Sequence, residues 1–209
     1  MTLPPYQTAC GATDIMAHVL ERYFTNEDGV DLTDRLCEAV LSAVVQATPI
    51  VMKDPYNYDA RAQIMWAGTL AHNHSVGLGR EGDWASHQIE HELSAEFDVA
   101  HGAGLAVVFP AWAKYMYKHA LPRFCQYATR VWGVEMDYEH PERTALAGIR
   151  MTEEYFASIG MPTRLGHLDI DDSKFEEMAV KCTFFGKRTL PDYITLDKEE
   201  IIDIFKLMV

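Results

Sequence analysis

The stretch Gln7-Thr8-Ala9-Cys10-Gly11-Ala12-Thr13-Asp14-Ile15-Met16-Ala17-His18-Val19-Leu20-Glu21-Arg22-Tyr23-Phe24 decides the fold class. Its apolar residues recur three and four apart, the spacing of one helix face, until Asn26-Glu27-Asp28-Gly29 breaks the run. The same period continues downstream. Thr33 has the chemistry of a helix N-cap, and Leu36, Val40, Ala43, Val44, Ala47 and Val51 line one face of a second helix that Asp54-Pro55 closes. A third helix is predicted over 59–76, ended by Gly77-Leu78-Gly79-Arg80-Glu81-Gly82. Asp83 is placed as the cap of a fourth helix running to Phe97, and a fifth starts at His101-Gly102 and runs towards Tyr117. Further helical patterns cover 121–132, 141–159, 172–183 and 197–208. The strand-like Val107-Val108-Phe109 lies inside a longer helical pattern, and length favours the helix. The chain therefore reads as all-α, a multi-helix array forming one domain over 7–209. Leu3-Pro4-Pro5 is held extended by its prolines, so residues 1–6 read as a connector arriving from something upstream.

A chain of 209 residues can bury one good core. Its formal net charge is −13, from 31 acids against 18 bases, and no basic stripe is present to meet nucleic-acid phosphates. The acidic excess reads as solubility. With no long unbroken apolar run and no leader-like N-terminus, the expectation is a cytoplasmic protein without a membrane partner. Cys10, Cys37, Cys125 and Cys182 lie far apart in apolar-periodic stretches and read as reduced, buried hydrophobes.

Chemistry concentrates in two arrangements. In Asp14-Ile15-Met16-Ala17-His18 a carboxylate and an imidazole four residues apart share one helix face. The residues between them are apolar, so both groups point inward and need a partner or a metal. The second arrangement is His87-Gln88-Ile89-Glu90-His91, followed by His101 ahead of Gly102-Ala103-Gly104. One carboxylate with two or three imidazoles from separate helices suits Fe²⁺ or Zn²⁺, and equally Mn²⁺ or Co²⁺. Spacing alone leaves open whether His87 or His91 is the ligand. The same five residues also match H-x-x-E-H, a zinc-hydrolase pattern with Glu90 as base, which leaves Asp14, His18 and His101 unused. A third reading is a non-catalytic helical module. Each pair taken singly is more often structural than metal-binding. His72 and His74 read as surface or supporting residues, His119, His140 and His167 as exposed or structural, and Glu92, Glu96 and Asp98 as a solvated face. Gly102-x-Gly104 has no preceding strand, so it reads as a helix start packed against the site and not as a dinucleotide fingerprint.

These residues resemble a known family. Thr2-Leu3-Pro4-Pro5-Tyr6-Gln7 through Asp14-x-x-x-His18 is similar to the start of the helical domain of iron-containing (group III) alcohol dehydrogenases. Asp83-Trp84-Ala85-Ser86-His87-x-x-x-His91-Glu92-Leu93-Ser94-Ala95, then His101-Gly102-Ala103-Gly104-Leu105-Ala106 and Pro110-Ala111-Trp112, resembles its second signature, and Gly160-Met161-Pro162-Thr163 its C-terminal part. The branch resembled is that of NADPH-dependent butanol dehydrogenases and aldehyde reductases. The resemblance implies the C-terminal metal-binding domain of a dehydroquinate synthase-like fold, with Asp14, His18, His87 and His101 as ligands of Fe²⁺, Zn²⁺ or another divalent ion. It implies His91 as a proton-transfer residue near the metal and nicotinamide, and Thr2, Leu3 and His91 as contacts of NADP(H). The reaction implied is reversible hydride transfer between NAD(P)H and an alcohol or aldehyde, in a possible homodimer. Full-length members begin with a Rossmann-like domain that this sequence lacks, so the chain alone is expected to be inactive.

Overall fold

The computed structural model describes residues 2–82 and 84–209. Its regular elements are α1 (Pro5–Tyr23), α2 (Asp31–Lys53), α3 (Tyr58–His72), α4 (Ala85–Phe97), α5 (His101–Met116), α6 (Leu121–Val131), α7 (Pro141–Ser158), α8 (Phe175–Cys182) and α9 (Lys198–Lys206), with short 3₁₀ turns before α8. The one β feature among the described residues is an isolated bridge between Leu190 and Leu196. The all-α reading holds, and Val107-Val108-Phe109 lies buried within α5 as expected.

Several boundaries differ from the sequence reading, each for a local reason. α1 starts at Pro5, where a proline at the first helical position loses no needed donor. α2 starts at Asp31, so Thr33 is inside its first turn and not its cap; the Thr33 hydroxyl donates to the Leu78 carbonyl. Asp31 and Asp34 in that first turn suit the positive end of the helix dipole. Leu36 is 46% exposed and off the buried face that Val40, Val44, Ala47 and Val51 form. α3 is capped by the Asn57 side chain, which accepts from the Ala60 N–H, and it stops four residues short of the predicted end. There Asn73 accepts from Ser75 N–H and His74 takes a left-handed φ of 66°, a local turn that competes with the helix. The predicted cap Asp83 lies outside the described residues.

α1 sits centrally, against α2, α3, α4 and α5. Small residues permit this. Gly102 at the start of α5 faces the α1 backbone, where an added Cβ would stand 2.1 Å from the Cys10 carbonyl oxygen. Below this crossing, Tyr23, Phe24, Phe109, Trp112, Phe124 and Tyr127 form a buried aromatic cluster, with Phe24 and Phe124 centroids 4.4 Å apart. All four cysteines are buried and unpaired, as the sequence suggested. By length and hydropathy α2 could cross a membrane, but here one side of it packs into the core and buries Asp34 and Glu38.

Asp34 ties three segments together. It pairs with Arg80 at 2.9 Å and with Arg123, and accepts from the Gln126 side-chain amide at 2.9 Å. Burial pushes its carboxyl pKa up, but these donors outweigh that and hold it below the usual carboxylate value. A folded pKa below the unfolded one means the stabilisation is complete above about 3.9 and is lost as pH falls through the folded value. Thermal denaturation at descending pH is therefore expected to show stability falling below about pH 4, and Asp34→Asn is expected to flatten that limb.

Candidate metal centre

Four helices deliver ionisable groups to one place. α1 supplies Asp14, His18 and Glu21, which at spacings of four and three share one face. α3 ends with His72, α4 supplies His87 and Glu90, and α5 opens with His101. Asp14 Oδ1 lies 3.5 Å from His101 Nε2 and 3.7 Å from Nε2 of both His18 and His87. Four donors around one ion at 2.0–2.1 Å stand about 3.4 Å apart, so these separations are close to what an ion needs. The donors divide into trios within mutual reach: Asp14 with His87 and His101, and Asp14 with His18 and His72.

The hydrogen bonds fix which ring nitrogen faces inward. His87 Nδ1 is 2.8 Å from Glu21 Oε2, and Glu21 Oε1 accepts from the His87 backbone N–H at 2.9 Å. His101 Nδ1 is in close contact with Glu90 Oε2. Each carboxylate is an acceptor only, so it holds the proton on Nδ1 and leaves the Nε2 lone pair aimed at Asp14. As a result His87 Nε2 and Asp14 Oδ1 are buried without a hydrogen-bond partner. Two facing acceptors in a buried site are costly unless a proton or a cation lies between them.

The electrostatics agree. Burial lowers the His87 pKa, yet the Asp14 and Glu21 carboxylates outweigh it and push it up to about 9. Burial raises that of Asp14, and the facing imidazoles bring it below its ordinary value. His18 goes the other way, down to about 4, through burial and the neighbouring His87, His72 and Arg22, which together overcome Asp14. The pocket favours positive charge between Asp14 and His87.

His91 is exposed, with its ring 5.4 Å from that of His101 and 6.3 Å from that of His87. Burial lowers its pKa, helped by positive charge on His101 and His87. Glu90 is fully buried, engaged with His101 and the Ser94 hydroxyl, and so unavailable as the base of a hydrolase. Gly104 leaves the room it occupies, since a Cβ there would lie 2.2 Å from Glu90 Oε1. Thr2 and Leu3 are exposed ahead of α1. The sequence reading gave no role to Glu21 or Trp84, and read His72 only as a surface or supporting residue. Glu21 was detectable, lying seven residues beyond Asp14 on the same face. His72 and Trp84 were not: the His72 position depends on where α3 stops, and Trp84, which packs 5.2 Å from both His18 and His87, adopts a left-handed backbone. Glu92 and Glu96 are only partly solvated, Glu96 pairing with Lys174 and Lys181, whereas Asp98 is exposed.

The model of the family described as Fe-containing alcohol dehydrogenase, C-terminal, matches residues 8–209. NADH-dependent butanol dehydrogenase A of Clostridium acetobutylicum is 37% identical over 206 residues, covering 98% of this chain and 53% of the relative. The NADPH-dependent aldehyde reductase YqhD of Escherichia coli is 36% identical over 198 residues, covering 94% of this chain and 51% of the relative. The solved substrate- and cofactor-free form of that reductase superposes with a TM-score of 0.94 at 32% identity, over 100% of this chain and 54% of the other. The chain thus spans about half the length of the curated relatives it matches.

Proposed function

The chain belongs to the Fe-containing alcohol dehydrogenase family, as its C-terminal helical part, and on that premise we propose that it is the metal-binding half of an NAD(P)H-dependent alcohol dehydrogenase or aldehyde reductase. The observation that carries this reading is the convergence of Asp14, His87 and His101 from three helices, with Asp14 Oδ1 and His87 Nε2 left buried and unpartnered. In this reading Asp14, His18, His87 and His101 hold one divalent ion, Fe²⁺ by family and Zn²⁺ by equal donor chemistry. Bound there, the ion supplies Lewis-acid polarisation of an alcohol or aldehyde oxygen.

The chain's own residues have distinct roles. Glu21 and Glu90 hold the His87 and His101 rings in the ligating tautomer. Trp84 and Arg22, whose guanidinium carbon lies 4.6 Å from the Trp84 ring centroid, shield one side of the site from water. His91, exposed beside His101, exchanges the proton of the substrate hydroxyl with solvent through its imidazole. Residues 1–6 would form the connector to a nucleotide-binding half and 7–209 the metal-binding domain, with Thr2, Leu3 and His91 towards the cofactor. We assign NADP(H) by the branch resembled; the relatives above include one named for NADH and one for NADPH. Exposed Tyr58, Met65 and Trp66 on α3 support contact with another domain or a second copy. The four reduced cysteines support a cytoplasmic setting.

Joined to the nucleotide-binding half of a relative and loaded with Fe²⁺ or Zn²⁺, the chain is expected to consume NADPH when butyraldehyde is supplied. A folded, metal-loaded hybrid that leaves both NADPH and NADH unconsumed across short aldehydes overturns the reading. In that hybrid His91→Ala is expected to keep its full metal content while turnover falls about 100-fold, the lower end for general acid–base catalysis because water can replace an exposed relay. Elemental analysis beside steady-state rates checks it. Loss of metal in His91→Ala would move His91 among the ligands.

A further inference from the structure

His18, His87 and His101 all turn Nε2 towards Asp14 Oδ1, but what stands behind the three rings differs. Behind His87 and His101 the Nδ1 atoms meet Glu21 and Glu90, which only accept, so the Nε2 lone pair of each ring faces the site. Behind His18 stands a cation. Its Nδ1 lies 3.5 Å from Nη1 of Arg22, which only donates. The lone pair is therefore drawn to Nδ1 and the proton to Nε2, where it points at Asp14. Arg22 is fixed in that position. Nη1 also donates to the His18 carbonyl one helical turn back, and the guanidinium carbon lies 4.6 Å from the Trp84 ring centroid. Gly77 closes the other side, where an added Cβ would stand 3.1 Å from Arg22 Cδ and Nε. Arg22 is buried, and among the described residues no carboxylate pairs with it; Glu21, its chain neighbour, is engaged with His87.

We propose that Arg22 is a positioning residue that makes His18 the yielding ligand of the site. Asp14, His87 and His101 hold the ion firmly, and His18 joins them only by turning its proton towards a guanidinium. The inference rests on the function proposed above, in which these four residues share one divalent ion. An acceptor behind a ligating histidine fixes its tautomer and raises its basicity, which is worth about 10–100-fold in metal affinity. A donor in the same place withholds that gain. The guanidinium also repels an ion beside His18, and burial leaves that repulsion poorly screened. Three firm donors with a fourth that gives way keep a position free for an incoming oxygen, which separates catalytic from closed structural sites. Arg22 follows Asp14 and His18 at the same spacing of four, so one face of α1 carries two ligands and the group that weakens the second of them.

The test is Co²⁺ binding by the metal-free chain under reducing conditions, followed by competition with a chelator and by the visible spectrum. His18→Ala is expected to weaken binding by about 10-fold or less, against at least about 100-fold for His87→Ala. Arg22→Glu places behind His18 the acceptor that Glu21 and Glu90 supply to the other two rings. It is expected to tighten binding by about 10–100-fold and to change the Co²⁺ spectrum as His18 becomes a firm ligand. Arg22→Gln should gain less, and Arg22→Lys, which keeps the charge, should stay near wild type. In a His18→Ala background both gains should shrink, because they pass through the His18 ring. Far-UV circular dichroism checks folding; if Arg22→Glu does not fold, Arg22→Gln and the His18→Ala and His87→Ala pair still decide. Equal losses in His18→Ala and His87→Ala, or weaker binding by folded Arg22→Gln, overturn the proposal and leave the ion in place. Equal gains with and without His18 would mean that Arg22 acts on the ion through space alone, and also overturn it. A wild-type chain that takes up no ion overturns the proposed function as well.

Discussion

Asp14→Ala is expected to abolish metal retention: elemental analysis of the dialysed variant should find the tight ion gone, with affinity at least about 100-fold below wild type. The magnitude follows from the donor set. Structural four-ligand ions contribute about 10–16 kcal/mol, so a single ligand carries roughly 3 kcal/mol, or more than two decades. Asp14 exceeds an average share, being among the described residues the one carboxylate that faces Nε2 of His18, His87 and His101. Without it three imidazoles converge with no negative charge between them, and His87 loses one of the two carboxylates that favour a cation beside it. His101→Ala should lose the same ion from the α5 side, which ties the loss to the crossing of two helices and not to α1 alone. If Asp14→Ala keeps its metal, the ion sits elsewhere, and the Glu90–His91–His101 trio becomes the candidate. If even the wild type stays metal-free after reconstitution with Fe²⁺ or Zn²⁺, the chain is a non-catalytic helical module.

Helix content and the grouping of candidate donors on shared faces were legible in the sequence because both depend on periods of three and four. Asp14 and His18, and His87 and His91, share faces by arithmetic alone. What arithmetic does not supply is depth and direction. His87 and His91 are one turn apart, yet His87 is buried against Glu21 and His91 is exposed, because α4 packs on α1 and α5 through the side that carries His87, Glu90 and Ser94. Glu90 also admits reading as a hydrolase base until its burial and its contact with His101 are seen. His72 reads as a surface or supporting residue while α3 is drawn to residue 76; once Asn73 and the left-handed His74 stop the helix at His72, its ring falls beside Asp14 and His18. In each case the missing information lies in helix-to-helix placement, which short local patterns do not encode.

That placement rests on one glycine more than on any donor, and Gly102→Ala is expected to show it. The new Cβ would stand 2.1 Å from the Cys10 carbonyl oxygen, 2.6 Å from its carbon and 2.7 Å from Cys10 Cα. All three are backbone atoms in the middle of α1, so no rotamer change relieves the clash and the two helices must part. Overpacking usually costs 1–3 kcal/mol where side chains can adjust; with rigid backbone on both sides the upper end, about 3 kcal/mol, is the minimum expected. For a domain of this size that lowers Tm by about 6–12 °C. The site should fail with it, since His101 is the adjoining residue and Asp14 stands one helical turn beyond Cys10. Gly11→Ala is the natural control: it adds the same methyl to α1 with nothing within 4 Å. There the helix-interior preference for alanine should stabilise the protein by about 0.5–1 kcal/mol. Opposite signs from one methyl group on either side of the α1–α5 crossing, read by thermal denaturation with and without metal, would establish that backbone contact sets the distance between Asp14 and His101. An unchanged Tm and undiminished metal content in Gly102→Ala would instead mean that the donors and their ion hold the helices together, with the glycine incidental.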